Sequence, residues 1–210
     1  LVDKVAFTGS TEVGRDIMAK AAATLKKVTL ECGGKSANIV LHDANWAIAI
    51  DGSIFASFYH QGQVCESGTR LLLPKDQHDD FVAEMVRKLE SLPMGDPLDP
   101  ETKVGPVVSE RQMQSVLDYI EIGKREGAVL ACGGERATDG ELANGCFIKP
   151  TVFTGVTNDM QIAREEIFGP VLCVMAYESE SEALAIANDS IFGLGGGVWS
   201  EDIDHAKQIA

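Results

Sequence analysis

The sequence predicts an α/β fold: an open, mostly parallel, twisted sheet with helices on both faces. Three observations carry that prediction. Short apolar or β-branched runs alternate with amphipathic stretches almost from end to end, which is the pattern of strand–helix–strand units. Glycine and proline punctuate the alternation, most densely over residues 93–106, with four prolines and two glycines. A chain of 210 residues, 45% hydrophobic and 24% charged, has enough apolar material for a substantial core, as one large domain or one domain plus a fragment. There is no internal repeat and no low-complexity segment.

In order along the chain, residues 1–8 read as a strand with Val5, Ala6 and Phe7 as its buried part. Residues 11–24 read as a helix with Ser10 as N-cap, Glu12 in the first turn and Lys20 near the end. Two β-branched runs, 27–31 and 37–41, are separated by Gly33-Gly34. Residues 45–60 form a largely apolar helical stretch, 69–73 a strand closed by Pro74, and 77–92 an amphipathic helix. After the loop at 93–106 come a helix over 110–126, a strand over 128–131 and a polar, turn-rich stretch over 138–145. A strand over 171–177, a helix over 181–188, a glycine-rich strand over 195–199 and a helical pattern over 202–210 complete the series. A sequence that opens within a strand and stops within a helix reads as a segment of a longer protein.

Charge and composition exclude several classes of function. A net charge of −14 would be repelled by nucleic acid and by an anionic membrane surface. No apolar run reaches the roughly 18 residues of a membrane span. The five cysteines (Cys32, Cys65, Cys132, Cys146, Cys173) include no C-x-x-C pair, as expected of free thiols in a reducing, cytoplasmic setting. The four histidines (His42, His60, His78, His205) are scattered, so no metal site is expected.

Cys65 lies in Gln61-Gly62-Gln63-Val64-Cys65-Glu66-Ser67-Gly68-Thr69-Arg70. A second run, Leu30-Glu31-Cys32-Gly33-Gly34-Lys35-Ser36, sets Glu31 34 positions upstream. A thiol nucleophile with a carboxylate base is a combination suited to covalent acyl chemistry. The local sequence leaves open a buried, inert Cys65 and a solvated Glu31 at a strand end; His60 is the one nearby partner for a Cys–His pair. Gly9-Ser10-Thr11-Glu12-Val13-Gly14 follows a strand and opens a helix, a position where backbone N–H groups favour phosphate, although the spacing is neither G-x-G-x-x-G nor a Walker loop. Glu165-Glu166-Ile167-Phe168-Gly169-Pro170 reads either as a solvated loop or as a carboxylate for ribose hydroxyls beside an aromatic that packs on a flat ring.

Together these runs, with Phe192-Gly193-Leu194, resemble the aldehyde dehydrogenase superfamily, and the resemblance spans the whole chain. It implies NAD(P)-dependent oxidation of an aldehyde to a carboxylic acid, with NAD as cofactor and NADP not excluded. Cys65 would attack the aldehyde to give a thiohemiacetal, loss of hydride would leave a thioester, and Glu31 would activate the hydrolytic water. Gly9, Ser10 and Gly14 would approach the pyrophosphate, Glu166 the nicotinamide ribose, Phe168 the nicotinamide, and the carbonyl of Cys32 the carboxamide. Where many relatives carry a ribose-binding lysine, this chain has Ser115. Relatives that pass the acyl group to coenzyme A usually lack a carboxylate at the place of Glu31.

The resemblance further implies that residues 1–30 close a dinucleotide-binding domain and residues 31–210 belong to a catalytic domain, truncated at both ends. The 210 residues alone are expected to be inactive, and the parent protein to be a homodimer or homotetramer acting on a small aldehyde. Tyr59, Val64 and Glu66 are expected to line the aldehyde pocket, with Glu66 disfavouring anionic aldehydes and opposing thiolate formation at Cys65.

Overall fold

The computed structural model describes residues 2–210, and its strands form two sheets. Strands β1 (Lys4–Thr8) and β2 (Lys27–Glu31) pair in parallel with Thr8 opposite Glu31, and α1 (Thr11–Ala22) connects them. The Ser10 hydroxyl accepts the Val13 N–H, as its N-cap position predicts. The strand expected from residue 1 begins only at Lys4, and Leu1 lies outside the described residues. The expected helix over 11–24 ends at Ala22 because Leu25 adopts a left-handed conformation (φ 52°) that cannot continue it.

The second sheet runs in the order β5-β6-β7-β4-β3-β8, formed by β3 (Ala37–Val40), β4 (Arg70–Pro74), β5 (Val129–Cys132), β6 (Thr151–Thr154), β7 (Val171–Tyr177) and β8 (Gly196–Trp199). All its pairings are parallel except the edge pair β5–β6. Strand β6, a short run between Pro150 and Gly155, is not anticipated from sequence. Pro74 belongs to β4 instead of closing it. Its ring nitrogen faces β3, whose pairing with β4 ends at Ile39 opposite Leu72, and the Val40 carbonyl that an N–H at this position would reach accepts the Tyr177 hydroxyl at 2.7 Å instead.

Alternating side chains of the central strands supply two core layers. Leu71, Leu73, Val152, Leu172 and Val174 pack with α2 (Trp46–Phe58) and α3 (His78–Glu90). Leu72, Phe153, Val171, Cys173 and Met175 pack with α4 (Glu110–Glu126), α5 (Gln161–Arg164) and α6 (Glu180–Asn188). Strands covered on both faces read as continuous apolar runs, which is how β4 and β7 appear in the sequence. Helix α7 (Ile203–Ile209) follows β8, with Asp202 as its N-cap.

Arg70 ties this sheet to its surroundings. It is 2% exposed. Its Nε donates to the Lys35 carbonyl at 2.9 Å, Nη1 to Asn158 Oδ1 at 3.1 Å and Ile186 O at 2.9 Å, and Nη2 to Ala187 O at 2.9 Å. The guanidinium thereby caps the last carbonyls of α6 and fixes the chain that enters β3. Arg70→Ala is expected to lower stability by about 3 kcal/mol or more, because one buried and two part-buried carbonyls lose their donor at once. Arg70→Lys should recover only a minor part, since an ammonium cannot reproduce the fork. Urea unfolding followed by circular dichroism measures both.

Candidate active site

Residues 32–36 leave β2 and enter β3, crossing from one sheet to the other. Glu31 is the last residue of β2 and its carbonyl accepts the Gly9 N–H at 3.0 Å. Its carboxylate is exposed and, among the described residues, makes no hydrogen bond or ion pair. Beyond it the chain is tightly packed. Gly33 lies directly beneath the Glu166 carboxylate, and a Cβ there would overlap it. The Gly34 N–H donates to Glu166 Oε1 at 3.2 Å, while a Cβ on Gly34 would overlap the carbonyl oxygen of Cys65. The two glycines are therefore held by packing, and neither has a positive φ.

Lys35, next in the turn, is 2% exposed and its Nζ has no hydrogen-bond partner. Burial drives its pKa down, and the nearby Cys173 and Glu166 partly oppose that. Burial likewise raises the pKa of Glu166, against the pull of the Gly34 N–H and Lys35.

Cys65 is delivered by a sharp reversal at the end of α2. A 3₁₀ turn over Tyr59–Gly62 places His60 (φ 48°), Gln61 (φ 57°) and Gly62 (φ 67°) in succession in the left-handed region. Such a run is costly for the two non-glycine residues and persists because neighbours hold it. Gly62 is seated against the Gly169 carbonyl. The Ser57 hydroxyl donates to Gly68 O at 3.1 Å, and the Gly68 N–H donates to Ala56 O at 3.1 Å. From the other side, the Val108 N–H donates to Gln63 Oε1 at 2.9 Å. The helical stretch expected over 45–60 thus stops at Phe58, two residues short, to make room for this turn.

The Cys65 side chain is half-buried and its Sγ donates to Glu66 Oε2 at 3.1 Å. That carboxylate, with a contribution from burial, pushes the thiol above its ordinary range. The His60 ring packs edge-on against Tyr59, with centroids 4.3 Å apart, and forms no hydrogen bond with the thiol among the described residues. The Cys–His alternative has no geometric support.

The segment carrying Glu166 is anchored by a residue that sequence reading missed. Gln112 Nε2 donates to Phe168 O at 2.8 Å and to Ile167 O at 3.2 Å, fixing Phe168 in its left-handed conformation (φ 56°) with its ring exposed. Nothing in the amphipathic pattern of α4 singles out that glutamine. On the side of β1, the Ser10 hydroxyl is used as a cap and the Gly9 N–H is used by Glu31 O. The open donors at this helix start are the N–H groups of Thr11 and Glu12. Gly14 is buried, and a Cβ on it would meet Cys32 Sγ at 2.7 Å, so its immediate role is to let α1 pack on Cys32. Leu194 Cβ stands beside Gly34, and Gly195 beside Glu66 and Ser36. Four separated segments therefore converge on Gly33-Gly34 and Cys65. Glu31 borders the cluster without bonding to Cys65.

A family model described as "Aldehyde dehydrogenase family" matches residues 1–210. The chain belongs to the aldehyde dehydrogenase family. Curated relatives in the family include betaine aldehyde dehydrogenases of Bacillus subtilis and Mesorhizobium japonicum, each 46% identical over 209 residues. These alignments cover 100% of this chain and 43% of each relative, so the chain spans well under half their length. Among solved aldehyde dehydrogenases, the betaine aldehyde dehydrogenase of Staphylococcus aureus in complex with NAD⁺ superposes with a TM-score of 0.96 at 39% identity, over 99% of this chain and 41% of that one. An aldehyde dehydrogenase variant from Bacillus cereus gives 0.93 at 46% identity, over 99% and 42%.

The packing of the aldehyde dehydrogenase turn sets an order of glycine costs. Gly34→Ala and Gly62→Ala drive a methyl into backbone carbonyls and should each lose about 2–3 kcal/mol. Gly33→Ala meets only the end of a flexible glutamate and should lose about 1 kcal/mol. Chemical denaturation midpoints of the three variants check that order.

Proposed function

We propose that the chain is the catalytic part of an NAD(P)-dependent aldehyde dehydrogenase that oxidises an aldehyde to a carboxylic acid. The observation that carries this reading is the seating of the Cys65 carbonyl on Gly34 and of the Glu166 carboxylate on Gly33, in adjacent residues of one turn. Residues 1–30 are read as the end of a dinucleotide-binding domain and 31–210 as catalytic domain, in keeping with the two separate sheets.

In this reading Cys65 Sγ attacks the aldehyde carbon, its proton leaves, and the carbonyl electron pair moves to oxygen. A bound nicotinamide dinucleotide supplies the hydride acceptor that the oxidation needs. Glu31 takes a proton from water, whose oxygen attacks the thioester carbon, and the Cys65 thiolate leaves. An exposed carboxylate with no partner among the described residues is free to take up that task.

The residues present fit one end of the cofactor. Glu166 keeps one carboxylate oxygen clear of Gly34 for ribose hydroxyls, the Phe168 ring is exposed, and the start of α1 offers open N–H donors beside Gly9 and Ser10. Cys32 takes its place through its backbone carbonyl. NAD is the preferred cofactor, as in the Staphylococcus aureus relative's complex. Five free cysteines suit a cytoplasmic setting, and no described helix is long and apolar enough to cross a membrane. The parent protein is taken to be a homodimer or homotetramer, and betaine aldehyde is the first substrate to try.

In the complete protein that carries this chain, Cys65→Ala should abolish aldehyde-dependent NADH formation. Glu31→Gln should retain a single-turnover burst, lose turnover by about 10²-fold or more, and accumulate an acyl adduct on Cys65 visible by intact mass spectrometry. Retained turnover in Cys65→Ala would overturn the reading.

A further inference from the structure

Helix α4 carries Gln112, Tyr119 and Glu126 at seven-residue intervals, and each of them binds the segment that delivers Glu166. Glu126 Oε1 accepts the Gln161 N–H at 2.7 Å and its Oε2 accepts the Ile162 N–H at 3.4 Å, at the start of α5. The Tyr119 hydroxyl donates to Glu165 Oε2 at 2.7 Å, an oxygen that also accepts from Gln161 Nε2 at 2.9 Å. Gln112 holds the carbonyls of Ile167 and Phe168 at the other end. Positions seven apart on a helix fall within about 20° of one another, so the three side chains form one stripe. The segment runs antiparallel to it, and a slip by one residue would break all three attachments. Apolar contacts flank the stripe: a Cβ on Gly123 would meet Ile162, and one on Gly169 would meet Val116. Glu126 is the last residue of α4, where a carboxylate opposes the helix dipole. The two N–H groups of α5 that it accepts account for its place there.

We infer that Tyr119 and Glu126 are positioning residues for the cofactor site: by tying down Glu165 and the start of α5 they hold Glu166 against Gly34, and so set its grip on the nicotinamide ribose. What Glu166 grips rests on the aldehyde dehydrogenase reading of this site; the anchoring does not. Glu165 has extended backbone, so its side chain and that of Glu166 leave the chain on opposite sides. Glu165 turns to α4, and Glu166 turns to the crossing between the sheets, where its Oε1 accepts the Gly34 N–H at 3.2 Å. The two adjacent carboxylates therefore divide the work. One oxygen of Glu165 is engaged by Tyr119 and Gln161, and Glu166 keeps an oxygen open. Burial and the Glu165 carboxylate push the Tyr119 hydroxyl up to about 12, which keeps it protonated and a donor at neutral pH. Neither Tyr119 nor Glu126 forms a hydrogen bond with Cys65 or Glu31 among the described residues, so their loss acts on the Glu166 side of the site.

One arm of the test needs neither aldehyde nor cofactor. Amide hydrogen exchange of the chain, followed by NMR, reads the Gly34 N–H that Glu166 holds, with the amides of β4 as internal reference. Tyr119→Phe and Glu126→Ala should each speed exchange at Gly34 by about threefold to tenfold, the loss of one ordinary hydrogen bond, and leave β4 unchanged. Glu126→Gln, which keeps an acceptor, should restore part of what Glu126→Ala loses. In the complete protein that carries this chain, Tyr119→Phe should raise the Kd of NAD⁺ by a similar factor. The KM of the aldehyde and the rate of Cys65 alkylation by iodoacetamide should hold. Gly34 exchange that is unchanged in both Tyr119→Phe and Glu126→Ala, or that changes only in step with β4, overturns the inference. An unaltered NAD⁺ Kd beside normal aldehyde turnover also overturns it and leaves the dehydrogenase reading intact. The expected Gly34 response in a protein whose complete form binds no NAD⁺ removes the dehydrogenase reading and leaves the anchoring of Glu166 standing.

Discussion

The turn that carries the chain from one sheet to the other has to be free of side chains. At Gly33 the Glu166 carboxylate occupies the space a Cβ would take, and at Gly34 the Cys65 carbonyl does. Two sites that are 133 and 31 residues away in sequence are thus registered against consecutive positions of one backbone. A shift of either glycine moves the Glu166 carboxylate or the Cys65 carbonyl, and the backbone contact at Gly34 leaves the less room for adjustment. The rest of the site takes its spacing from this crossing: β2 sets where it begins, β3 where it ends, and Arg70 clamps the Lys35 carbonyl on its far side.

The Cys65 loop illustrates how strain is held. Two non-glycine residues and a glycine in left-handed conformations turn the chain at the end of α2, a geometry that isolated peptides avoid. The Ser57–Gly68 and Ala56–Gly68 hydrogen bonds close the loop behind Cys65, and Gln63 pins its front to Val108. The thiol is left half-buried at the tip, where it donates a hydrogen bond to the Glu66 carboxylate. Charge is distributed across the cluster with little cancellation. Glu66 faces the thiol, Glu31 faces solvent, and Glu166 is the carboxylate bonded to the turn, with buried Lys35 behind it.

Most of the fold was legible in the sequence. Helix α4 matches its expected span at both ends because an amphipathic stripe, a serine cap and Gly127 in the left-handed region mark it locally. Strands β2 and β7 match for a similar reason, β2 being a short alternating run and β7 an apolar one, each with a clear stop. What was misread lies where a distant partner decides. Strand β6 is four residues long and exists because β5 and β7 flank it. The last strand residue Pro74 is tolerated because the Tyr177 hydroxyl satisfies the facing Val40 carbonyl, and the helix ending at Phe58 gives way to a turn packed against Gly169.

The chain by itself determined the alternation of elements, the acidic composition and the family, since each of these is a property of local composition or of an ordered set of motifs. Only the tertiary structure decided why the motif contains two glycines, that Gln112 anchors the Phe168 turn, that Gly14 packs on Cys32, and that Glu66, not His60, bonds to the Cys65 thiol. The physical reason is common to all four. Each depends on which atoms from remote parts of the chain occupy the space beside a residue, and that space is set by packing between elements and not by the residue's neighbours in sequence.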